Sequence, residues 1–517
     1  MKKPRTGVRA SMVAAALVAG LVLSACSPGS SGEGGENGDP SAPNDVVIGV
    51  SADSRTLDPG GSGEHSVIMF DRLLDNTAPG EFSPALATEW EQVDDRTWRF
   101  TLRDGVTFHN GDPMTAEDVV FSVQRMIEND TLQNYVQINP FFEKAVVVDE
   151  NTVDIVSKKP LATFLNRLSQ VFIVPQAVVE ELGDEEFALN PVGTGPFKFE
   201  SWATGSELVV TANEDYWDGA PEADSITLKV IPEPSSRMAA LISGDIDLAR
   251  GLPVEIADRL RQEPAVEVME TPTKLAMTFV IQTSKGGPLA DPKVRQALNY
   301  ALDKESLLDL MGGAATQMED KSLMLGPLVN GFTDDVDDYE YDPEKARELL
   351  AEAGYADGFT MDIDAPRDTY PSDVALVEAV SSMLAEVGVE TNLIFQEFSS
   401  FVSKAIANES TGMFLFVMAN YLNDAEYYYN LLLSSNGRGY FHTPEYDALI
   451  AEQAQIMDPE ERREALAELD RAFVEEEAPW IFLWNMVEIT GVAKDVSGVA
   501  FDLDVSLDYA KLTKSGS

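Results

Sequence analysis

The stretch TMDIDAPRDTYPSDVALVEAVSSMLAEVGVETNLIFQEFSSFVSKAIANESTGMFLFV, residues 360–417, decides the fold class. Residues 360–364, 391–395 and 413–417 read as short strands. Residues 372–387 and 399–408 between them carry helical spacing. Strand, helix, strand, helix, strand is the order of βαβ units, and it predicts a largely parallel sheet. In open α/β sheets ligands bind beyond the carboxyl ends of the strands. That rule points to two loops: Ala365-Pro366-Arg367-Asp368-Thr369-Tyr370, and residues 418–429, which read MANYLNDAEYYY.

The same mixed character extends through the chain. Residues 46–50, 98–102, 226–230 and 277–281 read as strands. Thr115 with Asp118 three residues on predicts a capped helix, whose buried face holds Val119, Val120, Val123, Met126 and Ile127. Asp291-Pro292, Asp342-Pro343 and Asp458-Pro459 each place a capping carboxylate before a proline at the first helical position. Gly354 is a stop for the second of these helices.

The chain has 517 residues, a length of roughly three domain-sized units at about 150 residues each. Lys and Arg number 37 against 88 Asp and Glu, a formal charge of −51. That balance excludes a nucleic-acid binder, which needs a basic face, and a polybasic membrane-surface protein. It suits a well-solvated surface. One cysteine excludes a disulfide framework and a cysteine-rich zinc site, and three histidines leave little for a histidine metal site.

The N-terminus reads as an address. Lys2, Lys3, Arg5 and Arg9 precede an apolar run over residues 12–23, too short to span a bilayer and of signal-peptide length. It ends in Leu23-Ser24-Ala25-Cys26, which resembles the bacterial lipobox, whose cysteine is lipidated after cleavage. The expectation is a signal peptide over residues 1–25 and a lipid anchor on Cys26. Two acyl chains hold a protein stably at a membrane where one does not. Residues 27–44, rich in Ser, Gly, Glu, Asn and Pro, read as the rest of a flexible tether reaching about 20–25 Å.

A search for catalytic motifs yields neither a G-x-S-x-G elbow nor H-E-x-x-H nor a P-loop. Gly193-Thr194-Gly195-Pro196 lacks the lysine and helix of a phosphate loop and reads as a turn. Residues 334–338 are acidic without calcium-loop spacing. His65 is the one histidine near a plausible cleft loop. Tyr421, Tyr427, Tyr428, Tyr429 and Tyr440 cluster in and after the second nominated loop, suited either to sandwiching a ligand or to filling the lobe interior.

Five segments, in order, carry a family resemblance. Residues 102–111, LRDGVTFHNG, running on to TAEDV at 115–119, form the first. NPVGTGPF at 190–197, GDID at 244–247, VRQALNYALD at 294–303, and YDPEKA at 341–346 with Gly354-Tyr355 follow. Together they resemble the family 5 extracellular solute-binding proteins, the peptide, dipeptide, opine, glutathione and nickel receptors of ABC importers. The resemblance spans about residues 45–495. It implies an α/β, two-lobed periplasmic-binding-protein type II fold with an extra subdomain (cluster C type) and a hinged ligand cleft. Lobe I then takes residues 45–80, 199–283 and 488–517. The inserted subdomain takes 81–198, and lobe II (domain III) takes 284–487. The chain crosses between lobes near 283 and returns near 487.

What the resemblance implies for function is capture without covalent chemistry. The closed, liganded monomer docks on a membrane permease whose ATPase supplies the work, with no cofactor and no metal. Arg367 falls where peptide-binding members place an arginine for the ligand carboxylate, and a guanidinium binds carboxylate bidentately. Its alternative is a surface pairing with Asp368 or Asp373. Tyr421 stands where those members have an aspartate for the ligand's ammonium, and Met418 where they have a tryptophan. Asp424 is a substitute three residues later, and Asn420 completes the candidate ligand-binding set. An opine, a modified peptide or another organic acid therefore stays open as ligand. The alternatives are a surface hydrolase acting on peptides or sugars, a nickel-chelate receptor of the same fold, and a chaperone-like lipoprotein that borrows it.

Overall fold

In the computed structural model, the deciding stretch forms strands Phe359–Pro366, Val389–Gln396 and Met413–Ala419, separated by helices Asp373–Glu386 and Phe398–Ile406. The structure describes residues 44–61, 63–311, 316–317, 325–337, 339–367, 369–370 and 372–515. The expected signal peptide, Cys26 and all of the tether but Asn44 lie outside the described residues.

The first of these strands pairs in parallel with the second along its whole length, and with the third at Ile363–Met413 and Asp364–Phe414. Helix Asp373–Glu386 buries Leu376, Val377, Val380 and Leu384 completely, against Ile363, Ala365 and Val389. Glu397 caps the next helix by accepting from the Ser399 and Ser400 amides. These three strands begin a sheet that continues through Val266–Ile281, Trp480–Ala493, Leu248–Ala249, Asp45–Val50, Ser225–Val230 and Glu207–Ala212, and ends at Phe197–Ala203. The sheet is mixed, where the alternation of the first stretch predicts a largely parallel one. Asp45–Val50 is parallel to both of its neighbours, whereas Val266–Ile281 and Trp480–Ala493 run antiparallel to each other. The cause is connectivity: one long strand carries the chain out of the first half of the sheet and the other brings it back.

The pairing of those two strands is interrupted. It runs from Val266–Ala493 to Pro272–Val487, resumes at Ala276–Asn485, and slips again between Met277 and Thr278. Proline has no amide to give to a ladder, and an interruption of this kind bends the strand and re-aims its side chains. Thr273, Lys274 and Leu275 are the residues left out of register. The Thr273 hydroxyl ties the bulge down by donating to the Met486 carbonyl at 2.7 Å.

A separate antiparallel sheet is ordered Ala87–Gln92, Thr97–Leu102, Thr152–Ser157, Phe142–Asp149. Helix Ala116–Glu128 covers it. The expected capping box is present, with the Thr115 hydroxyl accepting from the Asp118 amide and Asp118 accepting from the Thr115 amide at 2.9 Å. Val119, Val123, Met126 and Ile127 are buried and Val120 is half-buried. Asp291, Asp342 and Asp458 each cap a helix that begins with proline. Gly354 follows the second of these with φ at 88°, the left-handed geometry that stops a helix.

The Gly193-Thr194-Gly195-Pro196 segment is a packed turn. A Cβ at Gly193 would lie 2.0 Å from the Met69 carbonyl oxygen. The Thr194 hydroxyl donates to Asp71 at 2.7 Å, and His109 takes the Gly193 amide on Nδ1 and donates from Nε2 to the Gly195 carbonyl at 3.0 Å. Burial lowers the His109 pKa to about 4, so the ring stays neutral in this role. Gly193→Ala is expected to cost about 1–3 kcal/mol by overpacking, read by urea unfolding. Unchanged stability would mean that the turn does not press on residue 69.

Candidate functional site

The bulge at 273–275 opens into a cavity of about 400 Å³. Glu64, Arg72, Phe172, Arg250 and Asp504 line it from the Asp45–Val50 half of the molecule. Ala419 and Tyr421 line it from the opposite side, with Lys274 and Leu275 between. A second chamber of about 500 Å³ adjoins it, and both chambers are lined by Gly63, Glu64, Arg250 and Glu488. The site therefore lies between the two halves, beside the place where the crossing strands lose register.

Its charges are organised in two groups. Lys274 on the bulge pairs with Asp504 and donates to the Asn423 side chain at 2.9 Å, while Arg72 reaches Asp504 at 3.7 Å. Burial pushes the Asp504 carboxyl up, and the Lys274 and Arg72 charges more than reverse this, leaving its pKa below the usual value. Arg250 is shared by Glu64 and Glu488, the latter at 3.3 Å. The apolar walls include Phe172, under the Arg72 guanidinium at 4.6 Å, and Tyr421, 43% exposed. Such a cavity, mostly apolar with a few convergent charges, is the usual form of a small-molecule site.

The residues nominated from sequence fall in different places. Tyr421 lines the cavity, edge-on to Tyr427 at 5.8 Å. Arg367 is exposed just past strand Phe359–Pro366, outside the cavity lining, with its guanidinium 4.7 Å over the Phe395 ring. Among the described residues no carboxylate pairs with it. Asp373 instead accepts from the Thr369 and Tyr370 amides at 2.8 and 3.1 Å, and Asp368 lies outside the described residues. Met418 is buried in the core, where its carbonyl accepts from the Tyr428 hydroxyl at 3.2 Å. Asn420 is fully buried and closes the loop by donating to the Asp424 carbonyl at 2.9 Å. Asp424 is fully buried in a two-pronged pair with Arg462, both contacts 2.7 Å. Of the tyrosines, Tyr428, Tyr429 and Tyr440 pack the interior. His65 is fully buried with Nδ1 3.1 Å from the Ser54 hydroxyl, and burial lowers its pKa to about 4. Its chain neighbours Glu64 and Ser66 line the cavity.

Lys274, Arg250, Asp504 and Glu488 escape a sequence reading, because each sits far along the chain from the strand ends that the topology rule nominates. The one local signal is Pro272, a residue that does not belong inside a long strand.

Comparison with known proteins agrees with this architecture. The family described as bacterial extracellular solute-binding proteins, family 5 (middle), matches residues 81–440. The chain is 31% identical over 465 residues to heme-binding protein A of Haemophilus influenzae, covering 83% of this chain and 84% of that one. It is 29% identical over 477 residues to the dipeptide-binding protein of Escherichia coli, covering 84% and 87%. Among solved structures, a peptide-binding protein AppA from Clostridium difficile superposes with a TM-score of 0.83 at 22% identity, covering 91% of this chain and all of the other. That likeness is one of fold. By family match and by relatives along most of its length, the chain belongs to family 5 of the bacterial extracellular solute-binding proteins.

Proposed function

We propose that this protein captures peptides or peptide-like solutes outside the membrane, closes its lobes over them, and delivers them to the permease of an ABC importer, without covalent chemistry of its own. The observation that carries the reading is the cavity at the bulge, walled from both lobes, so that one solute contacts both and favours the closed form. The relatives named for dipeptides and glutathione support the solute class. Lipid on Cys26 would hold the body to the outer face of the membrane. No helix among the described residues is long and apolar enough to cross it.

Tyr421 forms the lobe II wall of the site. Arg367, exposed and without a carboxylate partner among the described residues, meets the carboxylate of a solute that extends beyond the cavity. Asn420 and Asp424 hold the loop that carries Tyr421, with Met418 packed beneath it.

The test is isothermal titration of the full chain with a panel of di- to pentapeptides, opines and organic acids. Saturable one-to-one binding without turnover is expected. Arg367→Ala should weaken the extended carboxylate-bearing members by about 0.5–1 kcal/mol, the range for a solvent-exposed ion pair. Hydrolysis of any member would overturn the receptor reading, and an unchanged affinity would remove Arg367 from the site.

A further inference from the structure

Arg72, Arg250 and Lys274 line the 400 Å³ cavity, and they differ in what their donors meet. Arg250 donates to Glu488 at 3.3 Å and to the Val505 carbonyl at 2.8 Å, and it pairs with Glu64. Lys274 donates to Asn423 at 2.9 Å and to Asp504. Arg72 is 10% exposed in its side chain, yet among the described residues its guanidinium donates no hydrogen bond. Its nearest carboxylate is Asp504 at 3.7 Å, beyond hydrogen-bond reach. That carboxylate is already held by Lys274 and by the Asn423 side chain at 3.4 Å. Asp75 and Asp502 act on Arg72 through charge alone, from a neighbouring space of about 620 Å³ that Arg72 also lines. Five N–H donors on a buried guanidinium call for an acceptor.

The guanidinium is also fixed in place. It lies 4.6 Å over the Phe172 ring, and Phe172 lines the same cavity. The backbones of Arg72 and Phe172 form an antiparallel bridge, and the Leu86 amide donates to the Arg72 carbonyl at 3.1 Å. A planar fork set over an aromatic plate, with its donors open, is suited to a carboxylate. The charge at this end of the cavity has the matching sign. Apart from the Glu64, Arg250 and Glu488 group, the lining holds Arg72 and Lys274 against the single carboxylate of Asp504.

We infer that Arg72 is the carboxylate anchor inside the cavity, holding an acid group of the solute while Phe172 fixes the plane of the guanidinium. The solute's apolar body lies toward Leu275 and Tyr421, which line the same space. This rests on the solute-receptor reading above and adds to it the group that the cavity itself reads. It is separate from Arg367, which stands outside the cavity lining. A short solute seats its acid at Arg72, and a longer solute with a second acid reaches Arg367 as well.

The experiment is calorimetry of the full chain with di- and tripeptides of Ala, Leu and Phe, each as the free acid and as the C-terminal amide. The expected result is that the acid of each pair binds at least about tenfold tighter than its amide. Arg72→Gln, checked for a native unfolding transition, should bring acid and amide to within about twofold of each other. Arg72→Lys keeps the charge but loses the fork, and should give a ratio between the two. Equal binding of acids and amides by the unaltered protein would overturn the inference, whether or not the variants fold, and would leave the receptor reading standing. A preference for the acid that survives Arg72→Gln would overturn it as well, by placing the carboxylate elsewhere. So would a loss of affinity shared equally by acids and amides, which would mean that Arg72 only supports the wall. Absence of binding by every acid and amide would overturn both readings.

Discussion

Arg462→Met is expected to lower the unfolding free energy by about 3–5 kcal/mol, the cost of leaving one charge of a buried pair without its partner. The charge left behind is Asp424, which has no solvent exposure and receives both guanidinium nitrogens of Arg462 at 2.7 Å. Burial alone would push the Asp424 carboxyl up. Arg462, with the Asn330 side chain at 2.9 Å and the Glu426 amide, brings it below the usual value instead. The folded pKa is thus lower than the unfolded one. The stability this pair supplies is present above the unfolded carboxylate pKa and is lost as pH falls through the folded one. In Arg462→Met that acid-side loss should disappear together with the stability. The network reaches further, because Glu426 accepts from Thr163 at 2.7 Å and pairs with the fully buried Arg167 at 3.1 Å. Thr163 precedes and Arg167 lies in helix Phe164–Leu168, so the same cluster ties that helix to the loop that carries Tyr421. Urea unfolding of the single variant and of Arg462→Met with Asp424→Leu checks the account. The double variant should recover most of the loss, and a single-variant loss below about 1 kcal/mol would mean that the pair is hydrated in solution.

Asp470→Asn is expected to do the opposite and stabilise the protein near pH 7.5, by an amount that grows with pH. Asp470 is fully buried beside Tyr429. Burial raises its pKa well above the ordinary carboxylate value, and the Tyr429 hydroxyl and the Arg471 charge offset only part of that. The sign follows from linkage. Below the unfolded pKa both states are protonated and nothing is lost. As pH rises toward the folded pKa the unfolded chain releases its proton first, and each unit costs about 1.4 kcal/mol. Asparagine stays neutral and escapes this cost. Unfolding curves between pH 4 and 8 should show the variant's advantage growing with pH. An advantage that is constant with pH, or absent, would mean that Asp470 is ionised in the fold.

Arg462 and Asp470 lie eight positions apart in one helix, Pro459–Ala472, and nothing in its sequence distinguishes their fates. This marks the boundary of what the sequence makes legible. Local rules sufficed for the Thr115–Asp118 box, the three Asp-Pro helix starts and the five alternating elements of 360–417, because each depends on residues a few positions apart. The topology rule led to Tyr421 for the same reason: it follows a strand end. It led equally to Asp424 and Asn420, and there the outcome depends on Arg462, Asn330 and Arg167, which are brought in by tertiary packing. Lys274 is the reverse case. It lies inside a strand-like run, and only the slip between Val266–Ile281 and Trp480–Ala493 turns it into the cleft. A charge whose role is set by partners two hundred residues away, as Lys274 is by Asp504, has no local signature.

The measurement that bears most directly on the account is native mass spectrometry of the protein purified gently from producing cells. The expected result is a one-to-one complex that releases a small peptide-like solute bearing a carboxylate, displaced by excess of a binding peptide from the calorimetric panel. Bare protein that no peptide, opine or organic acid goes on to stabilise would contradict it.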